Sequence, residues 1–332
     1  MTRPKKSSPL VSVIITFLNE GMFLEEAIAS VLAQDYKYWE LLLVDDGSAD
    51  SSAELALRYA RQYPGRIRSL EHKGHVNRGV CASRNLGTRH ARGRYFAFLD
   101  ADDVWLPAKL TQQVAIMEAN PSAGMVCGTT EYWYSWTGRP KDRTRNRRLP
   151  VGAPSGSLIQ PPGLLKQLYP LGRGVAPCPS NFLLRRETVE QIKGFEEDFQ
   201  GPNQMYEDQA FLTKVHLNAA VYVAGACWDL HRIHPASCVA QVGAESDTYH
   251  AVRQFYLKWL EEYLLTEDVD DEEIWNSYRC SLWRYQHPNL HWLLRFPVDM
   301  PKRAVKTVLP ADAFRWLQEK KMKILGRHAT DQ

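Results

Sequence analysis

Hydrophobic and polar positions follow two rhythms along the first third of the chain. Residues 11–16 form a β-branched run, and short apolar blocks recur at 41–44, 67–71 and 95–99, as expected of buried strands. Between these blocks the period lengthens. Leu24, Ala27, Ile28, Val31 and Leu32 share one helical face within 23–33, Leu55 and Tyr59 recur inward within 50–62, and 80–90 reads as a third helix. Strands alternating with helices predict a mostly parallel sheet covered on both faces. Ligands of such sheets bind beyond the carboxyl ends of the strands. Three polar clusters fall there: Asn19-Glu20, Asp45-Asp46 and Asp100-Ala101-Asp102-Asp103. One rim of the sheet therefore gathers acid.

Further along, Pro107 opens a helix whose apolar face is Leu110, Val114 and Met117, and Pro121 ends it. Residues 123–131 read as a strand. The stretch 139–148 packs six basic residues around Asp142 and runs into a Pro/Gly/Ser segment ending at Gly156, which predicts a long exposed loop. A strand at 182–185, helices at 187–192 and 206–217, and a strand at 221–226 follow. From 248 the pattern is helical, broken by an acidic turn at 267–273.

Charge and cysteine content narrow the classes. Lys and Arg number 41 against 38 Asp and Glu, a balance too even for a nucleic-acid partner, which needs clustered excess charge. The six cysteines are dispersed without metal-knuckle or redox spacing, so reduced thiols in a cytoplasmic setting are expected. Arg3, Lys5 and Lys6 before an apolar run imitate a signal peptide, but Asn19 and Glu20 follow with no small-residue cleavage site. A buried strand fits better.

The aspartate cluster is the strongest chemical signal. If extended geometry continues past Leu99, Asp100 and Asp102 share a face, because strand side chains alternate. Two such oxygen donors suit a hard divalent cation that keeps positions open for phosphate oxygens. The spacing of a helix-flanked calcium loop is not met. Asp45-Asp46-Gly47-Ser48 taken alone is a turn. The glycines from Gly74 to Gly79 lack the lysine of a phosphate loop, and no GxGxxG occurs.

Taken in order, residues 11–16 with Asn19-Glu20, Val44-Asp45-Asp46-Gly47-Ser48, Ala82-Ser83-Arg84-Asn85-Leu86-Gly87 and the aspartate cluster resemble the inverting family 2 glycosyltransferases. Gly194-Phe195, Glu207-Asp208 and the run from His231 through His234 to Ser237 continue the resemblance to about residue 240. It implies the α/β GT-A fold, a mostly parallel sheet flanked by helices with a Rossmann-like nucleotide-binding half. The implied catalytic domain is 1–245, with a nucleotide-sugar half at 8–120 and an acceptor half at 121–245, and 246–332 is a helical C-terminal extension. The resemblance assigns Thr16, Phe17, Glu20, Asp45 and Asp46 to the nucleoside pocket and Arg84 to base or phosphate. It assigns Asp100 and Asp102 to the DXD motif, Asp102 and His234 to the metal (Mn2+ or Mg2+), and Asp208 to the catalytic base. UDP- or dTDP-sugars are the favoured donors.

Physical chemistry is consistent with those roles. A nucleoside diphosphate leaves readily only when its developing charge is neutralised, and an attacking sugar hydroxyl must lose its proton. One carboxylate is enough for single displacement with inversion. A sugar nucleotidyltransferase would favour a Gly-rich basic loop after the first strand, where Phe17-Leu18-Asn19-Glu20 stand instead. A non-catalytic carbohydrate-binding scaffold has no need of the full acidic set. Glu207 and the aromatic cluster around Trp133 and Trp136, beside the basic stretch, are candidate contacts for a glycan or lipid-linked sugar acceptor. Residues 290–296, apolar and aromatic, precede a run of Lys and Arg extending to Arg327. Either peripheral contact with the inner face of a membrane or packing on the catalytic domain accounts for them.

Overall fold

The computed structural model describes residues 8–243 and 246–287. The expected alternation holds from the start: β1 (Val11–Phe17), α1 (Leu24–Leu32), β2 (Trp39–Asp45), α2 (Ser52–Gln62), β3 (Ile67–Glu71), α3 (Val80–His90) and β4 (Tyr95–Asp100). β1 pairs in parallel with β2 on one side and β4 on the other, and β2 pairs in parallel with β3. β1 and β2 are buried at every position, because helices cover both faces of the sheet. Val13, Ile15 and Phe17 join Leu24, Ala27 and Ile28 of α1 in one core cluster. On the opposite face α3 approaches so closely that a Cβ on Gly87 would stand 2.6 Å from Ile14 Cγ2, so this position admits only glycine.

The chain continues through β5 (Val104–Trp105), α4 (Lys109–Ala119), β6 (Ala123–Trp133), α5 (Pro140–Arg143), β7 (Arg147–Leu149), β8 (Ser157–Ile159) and α6 (Gly163–Gln167). Then come β9 (Leu183–Arg185), α7 (Arg186–Gln191), α8 (Glu207–Asn218), β10 (Ala220–Arg232), α9 (Cys238–Val242), α10 (Asp247–Thr266) and α11 (Glu272–Gln286). Among the described residues the strands form one sheet in the order β3-β2-β1-β4-β9-β6-β10-β5, with β7 on β6 and β8 on β10. β9 is antiparallel to both β4 and β6, so it joins the four parallel strands to the later ones.

Two expectations need correction. The basic stretch is not an open loop: it folds into α5 and β7, and β7 pairs with β6. Asp142 stabilises the fold by accepting from Thr137 Oγ1 at 2.7 Å and Arg145 Nη1 at 3.1 Å, and Asn146 Oδ1 accepts from the backbone N–H groups of Tyr134 and Ser135. The strand expected at 221–226 runs on to Arg232, with bulges at Val223/Cys227 and Cys227/Asp229 that hide its length from period-two reading.

The described residues up to 274 make one compact unit, to which α10 contributes the buried Tyr256, Leu257, Leu260 and Leu264. The second unit begins at Trp275, inside α11, and is described only as far as residue 287. The membrane-contact expectation for 290–327 lies outside the described residues. No described helix is long and apolar enough to cross a membrane. All six cysteines are free.

Candidate active site

β4 stops at Asp100 and the chain turns, with Asp103 N donating to Asp100 O at 3.0 Å. The extended geometry expected to put Asp100 and Asp102 on one strand face therefore does not continue. The turn instead directs three carboxylates to three sets of partners. Asp100 Oδ1 accepts from Arg84 Nη2 at 2.7 Å. Asp102 Oδ2 lies 2.9 Å from His234 Nε2. Asp103, fully buried, accepts from Ser180 Oγ at 2.6 Å and Arg232 N at 2.9 Å, and lies 3.2 Å from His231 Nδ1. Burial alone would lower the His231 imidazole, but the Asp103 carboxylate outweighs it and raises the group to about 10. Asp103 thus anchors the end of β10 to the turn and fixes where Asp102 and His234 meet.

Arg232 reinforces that junction. Its Nε donates to Asp102 O at 2.6 Å and its Nη2 to Glu26 Oε2 at 2.5 Å. Its guanidinium lies 4.5 Å from the ring centroids of Phe23 and Trp133 and 5.2 Å from that of Trp136. Trp136 Nε1 donates to Ile233 O at 3.0 Å. Trp133 and Trp136 therefore form a wall of the site, with Arg232 against their faces.

Across the site, Arg84 is 3% exposed and its Nη1 donates to Glu207 Oε1 at 2.5 Å. One guanidinium thereby fastens Asp100 at the end of β4 and Glu207 at the start of α8. Burial pushes Glu207 up to about 7 despite Arg84, and its Oε2 is buried without a hydrogen-bond partner. Asp208, half-buried in the first turn of α8, accepts from Gln209 N at 2.7 Å and Gln209 Nε2 at 3.2 Å. Burial raises Asp208 to about 6 against those bonds. A carboxylate titrating there is mostly ionised at neutral pH and still basic enough to take a proton.

The remaining sequence candidates line the ends of β1 and β2. Asp45, 2% exposed, uses Oδ1 to accept from Ser48 N at 2.9 Å, while Oδ2 has no hydrogen-bond partner. Asp46 is engaged on both oxygens: it accepts from Arg78 N at 2.8 Å, Gly79 N at 2.9 Å and Ser83 Oγ at 3.1 Å, fixing the entry into α3. Thr16 is buried beside it, and Phe17 places its ring in the core and its carbonyl on Asp46 N at 2.9 Å. Burial, and then the charge of Asp102, raises Glu20 to about 7.

Sequence reading missed Ser180, Asp103, His231 and Arg232 as a group that positions Asp102. Ser180 is 77 residues from Asp103 and carries no local signal, whereas the other three sit inside motifs whose order was legible.

Asp102 and His234, with Asp100 and Glu20 within electrostatic reach, offer donor types that suit a divalent ion, but they do not bring three ligand atoms within 4.8 Å of one another. Their donors are hard oxygens and one imidazole, and burial first, then the charge of Asp102, raises Glu20 while His234 lowers it. Among the described residues, two groups do bring three ligand atoms within 4.8 Å: Asp103, Cys178 and His231, and Asp45, Glu71 and His75.

Residues 12–193 match the family model described as Glycosyl transferase family 2. The chain belongs to that family. It is 33% identical over 189 residues to the putative glycosyltransferase EpsE of Bacillus subtilis (strain 168), covering 57% of this chain and 61% of that protein. It is 37% identical over 111 residues to WfgD of Escherichia coli, named UDP-Glc:alpha-D-GlcNAc-diphosphoundecaprenol beta-1,3-glucosyltransferase, covering 33% of this chain and 42% of that one. The chain thus spans less than two-thirds of these curated relatives. Among solved structures, S. aureus TarS 1–349 in complex with UDP-GlcNAc matches with a TM-score of 0.56 at 17% identity over 85% of this chain and 75% of that one. Mannosyltransferase PcManGT from Pyrobaculum calidifontis in complex with GDP-Man and Mn2+ matches at 0.55 and 18% identity, over 96% and 81%. These likenesses establish the fold, and the expected GT-A architecture with a helical C-terminal region stands.

Proposed function

We propose that this chain transfers a sugar from a nucleoside-diphosphate donor to a hydroxyl of a glycan or lipid-linked acceptor, with inversion at the anomeric carbon. The observation that carries this reading is the position of Asp208. It is a half-buried carboxylate raised to about 6, joined through neighbouring Glu207 and Arg84 to Asp100 beside the Asp102–His234 pair. As the acceptor oxygen bonds to the anomeric carbon and the bond to the diphosphate breaks, Asp208 takes the hydroxyl proton. One carboxylate acting as base is enough for direct displacement, with no nucleophilic carboxylate or glycosyl-enzyme intermediate required. Asp102 and His234, with Asp100 beside them, would hold Mn2+ or Mg2+, which when bound offsets charge on the leaving diphosphate.

Asp45 Oδ2 accepts no hydrogen bond, although His75 Nδ1 lies 3.8 Å away, and this spare acceptor supports a base with an N–H on its pairing edge, such as the imide of uracil or thymine, and hence a UDP- or dTDP-sugar. Glu207, Trp133 and Trp136 stand where an acceptor ring could pack against the wall or meet the free Glu207 Oε2. If Trp133→Ala and Trp136→Ala, both folded, each leave acceptor KM unchanged, the wall takes no part in acceptor binding.

The first test is release of nucleoside diphosphate from a panel of nucleotide sugars with and without Mn2+ or Mg2+. Metal-dependent turnover is expected, and no turnover with any donor would overturn the reading. Asp102→Asn should weaken nucleotide binding in the presence of metal by at least about tenfold while leaving the weaker metal-free binding unchanged, as read by calorimetry. The pH profile gives a signed expectation. Because the base acts ionised, log kcat should rise with a slope near one up to about pH 6 and level off above it. A profile flat between pH 5 and 8 would exclude Asp208 as the titrating base.

A further inference from the structure

A second cluster lies beside the start of α8 and takes no part in the steps above. Arg253 of α10 is 8% exposed, and among the described residues no carboxylate pairs with it. Its Nη1 donates to the hydroxyls of Tyr169 at 2.8 Å and Tyr206 at 3.1 Å, and its Nε is buried without a partner. The Tyr169 and Tyr206 hydroxyls touch each other, and the Tyr249 hydroxyl lies 3.4 and 3.5 Å from them. Arginine stays charged in proteins, and a buried cation facing only neutral phenols is costly. The phenols do not supply the missing charge: burial pushes Tyr206 up to about 12 and Tyr169 higher still. The Arg253 guanidinium and the Tyr169 and Tyr206 hydroxyls therefore converge with no carboxylate paired to that guanidinium among the described residues.

We propose that Arg253, Tyr169 and Tyr206 bind an oxyanion carried by the acceptor, a phosphate or a uronate carboxylate. Placement argues for the acceptor. Tyr206 closes the 3-10 turn Gly201–Tyr206 and directly precedes Glu207 and Asp208, whereas the donor-side residues lie at the ends of β1, β2 and β4. Tyr169 is 36% exposed and provides the approach from solvent. Planar guanidinium N–H groups and neutral hydroxyls together suit an oxyanion, which accepts several hydrogen bonds at once. This assignment rests on the transferase reading for the identity of the ligand, and the binding site itself does not.

The test titrates inorganic phosphate and glucuronate separately into wild type, Arg253→Met and Tyr169→Phe by calorimetry, with UDP binding measured on the same samples. Tyr169→Phe keeps the ring at a partly exposed position and retains falsifiability if Arg253→Met does not fold. The expected result is binding of at least one probe to wild type, weakened at least about tenfold in Arg253→Met and several-fold in Tyr169→Phe, with UDP affinity unchanged. Preference for phosphate or for glucuronate then tells which oxyanion the site takes. Equal affinity in wild type and both variants, or no binding of either probe at millimolar concentration, overturns the proposal. Arg253-dependent oxyanion binding in a protein that does not bind UDP would support the site while refuting the transferase reading.

Discussion

Asp208→Asn is expected to lower kcat by about 10²–10⁴-fold while leaving nucleotide affinity nearly unchanged. Asparagine keeps the side chain's shape and still accepts from Gln209 N, the 2.7 Å bond that secures the first turn of α8. What it loses is the capacity to take a proton. If Asp208 served only to place negative charge at the helix N-terminus, the change would cost on the order of 1 kcal/mol of stability and little activity. A transfer assay beside calorimetric nucleotide binding separates the two accounts. A folded variant with near wild-type kcat would remove Asp208 from the reaction.

Arg84→Met should have the largest effect on stability, a loss of about 3–5 kcal/mol. The guanidinium is 3% exposed and is the shared counter-ion of Glu207, itself buried, and Asp100, which is about a quarter exposed. Methionine fills comparable volume, so the loss comes from carboxylates left without a partner rather than from a cavity. Adding Glu207→Gln to that background should recover part of the loss, since a neutral amide at 207 no longer needs the cation. Urea denaturation of the single and double variants measures both quantities. A single-variant loss below about 1 kcal/mol would mean that other groups neutralise the acids.

The sequence announces those parts of the molecule whose cause is local. β1, β2 and β4 are continuous apolar runs because both sheet faces are covered, and Ile67–Glu71 and Val80–His90 begin and end where the chain's own pattern changes. The last turns of β10 were not legible, since Asp229, His231 and Arg232 look like loop residues. They are in a strand because β6 and β5 lie alongside and Asp103 accepts from Arg232 N. β5, β7 and β8 span two or three residues each, too short for a period to register. The same division runs through the site. Asp100 and Asp102 stand out as acids gathered at a strand end, whereas Asp208 and His234 are singled out only by the family resemblance. The link from Arg84 to Glu207 crosses 123 residues, and only the folded chain makes it visible.

The location of β9 constrains how this fold could diversify. Leu183–Arg185 follow β6 in sequence but pair with Tyr95–Ala97 of β4 as well as with Met125 and Val126. A recombination crossover near residue 120 would thus hand the nucleotide-side strands a foreign β9, whose three residues would have to match the Tyr95–Ala97 register, and a foreign Phe195 backbone, which would have to meet Asn85. Exchange of whole halves between relatives is therefore structurally penalised, while substitution at the rims, on Trp133, Trp136 or the Arg253 cluster, leaves the shared sheet intact. Under the proposed function, changes of acceptor preference are expected from point changes at the edges rather than from shuffling of modules.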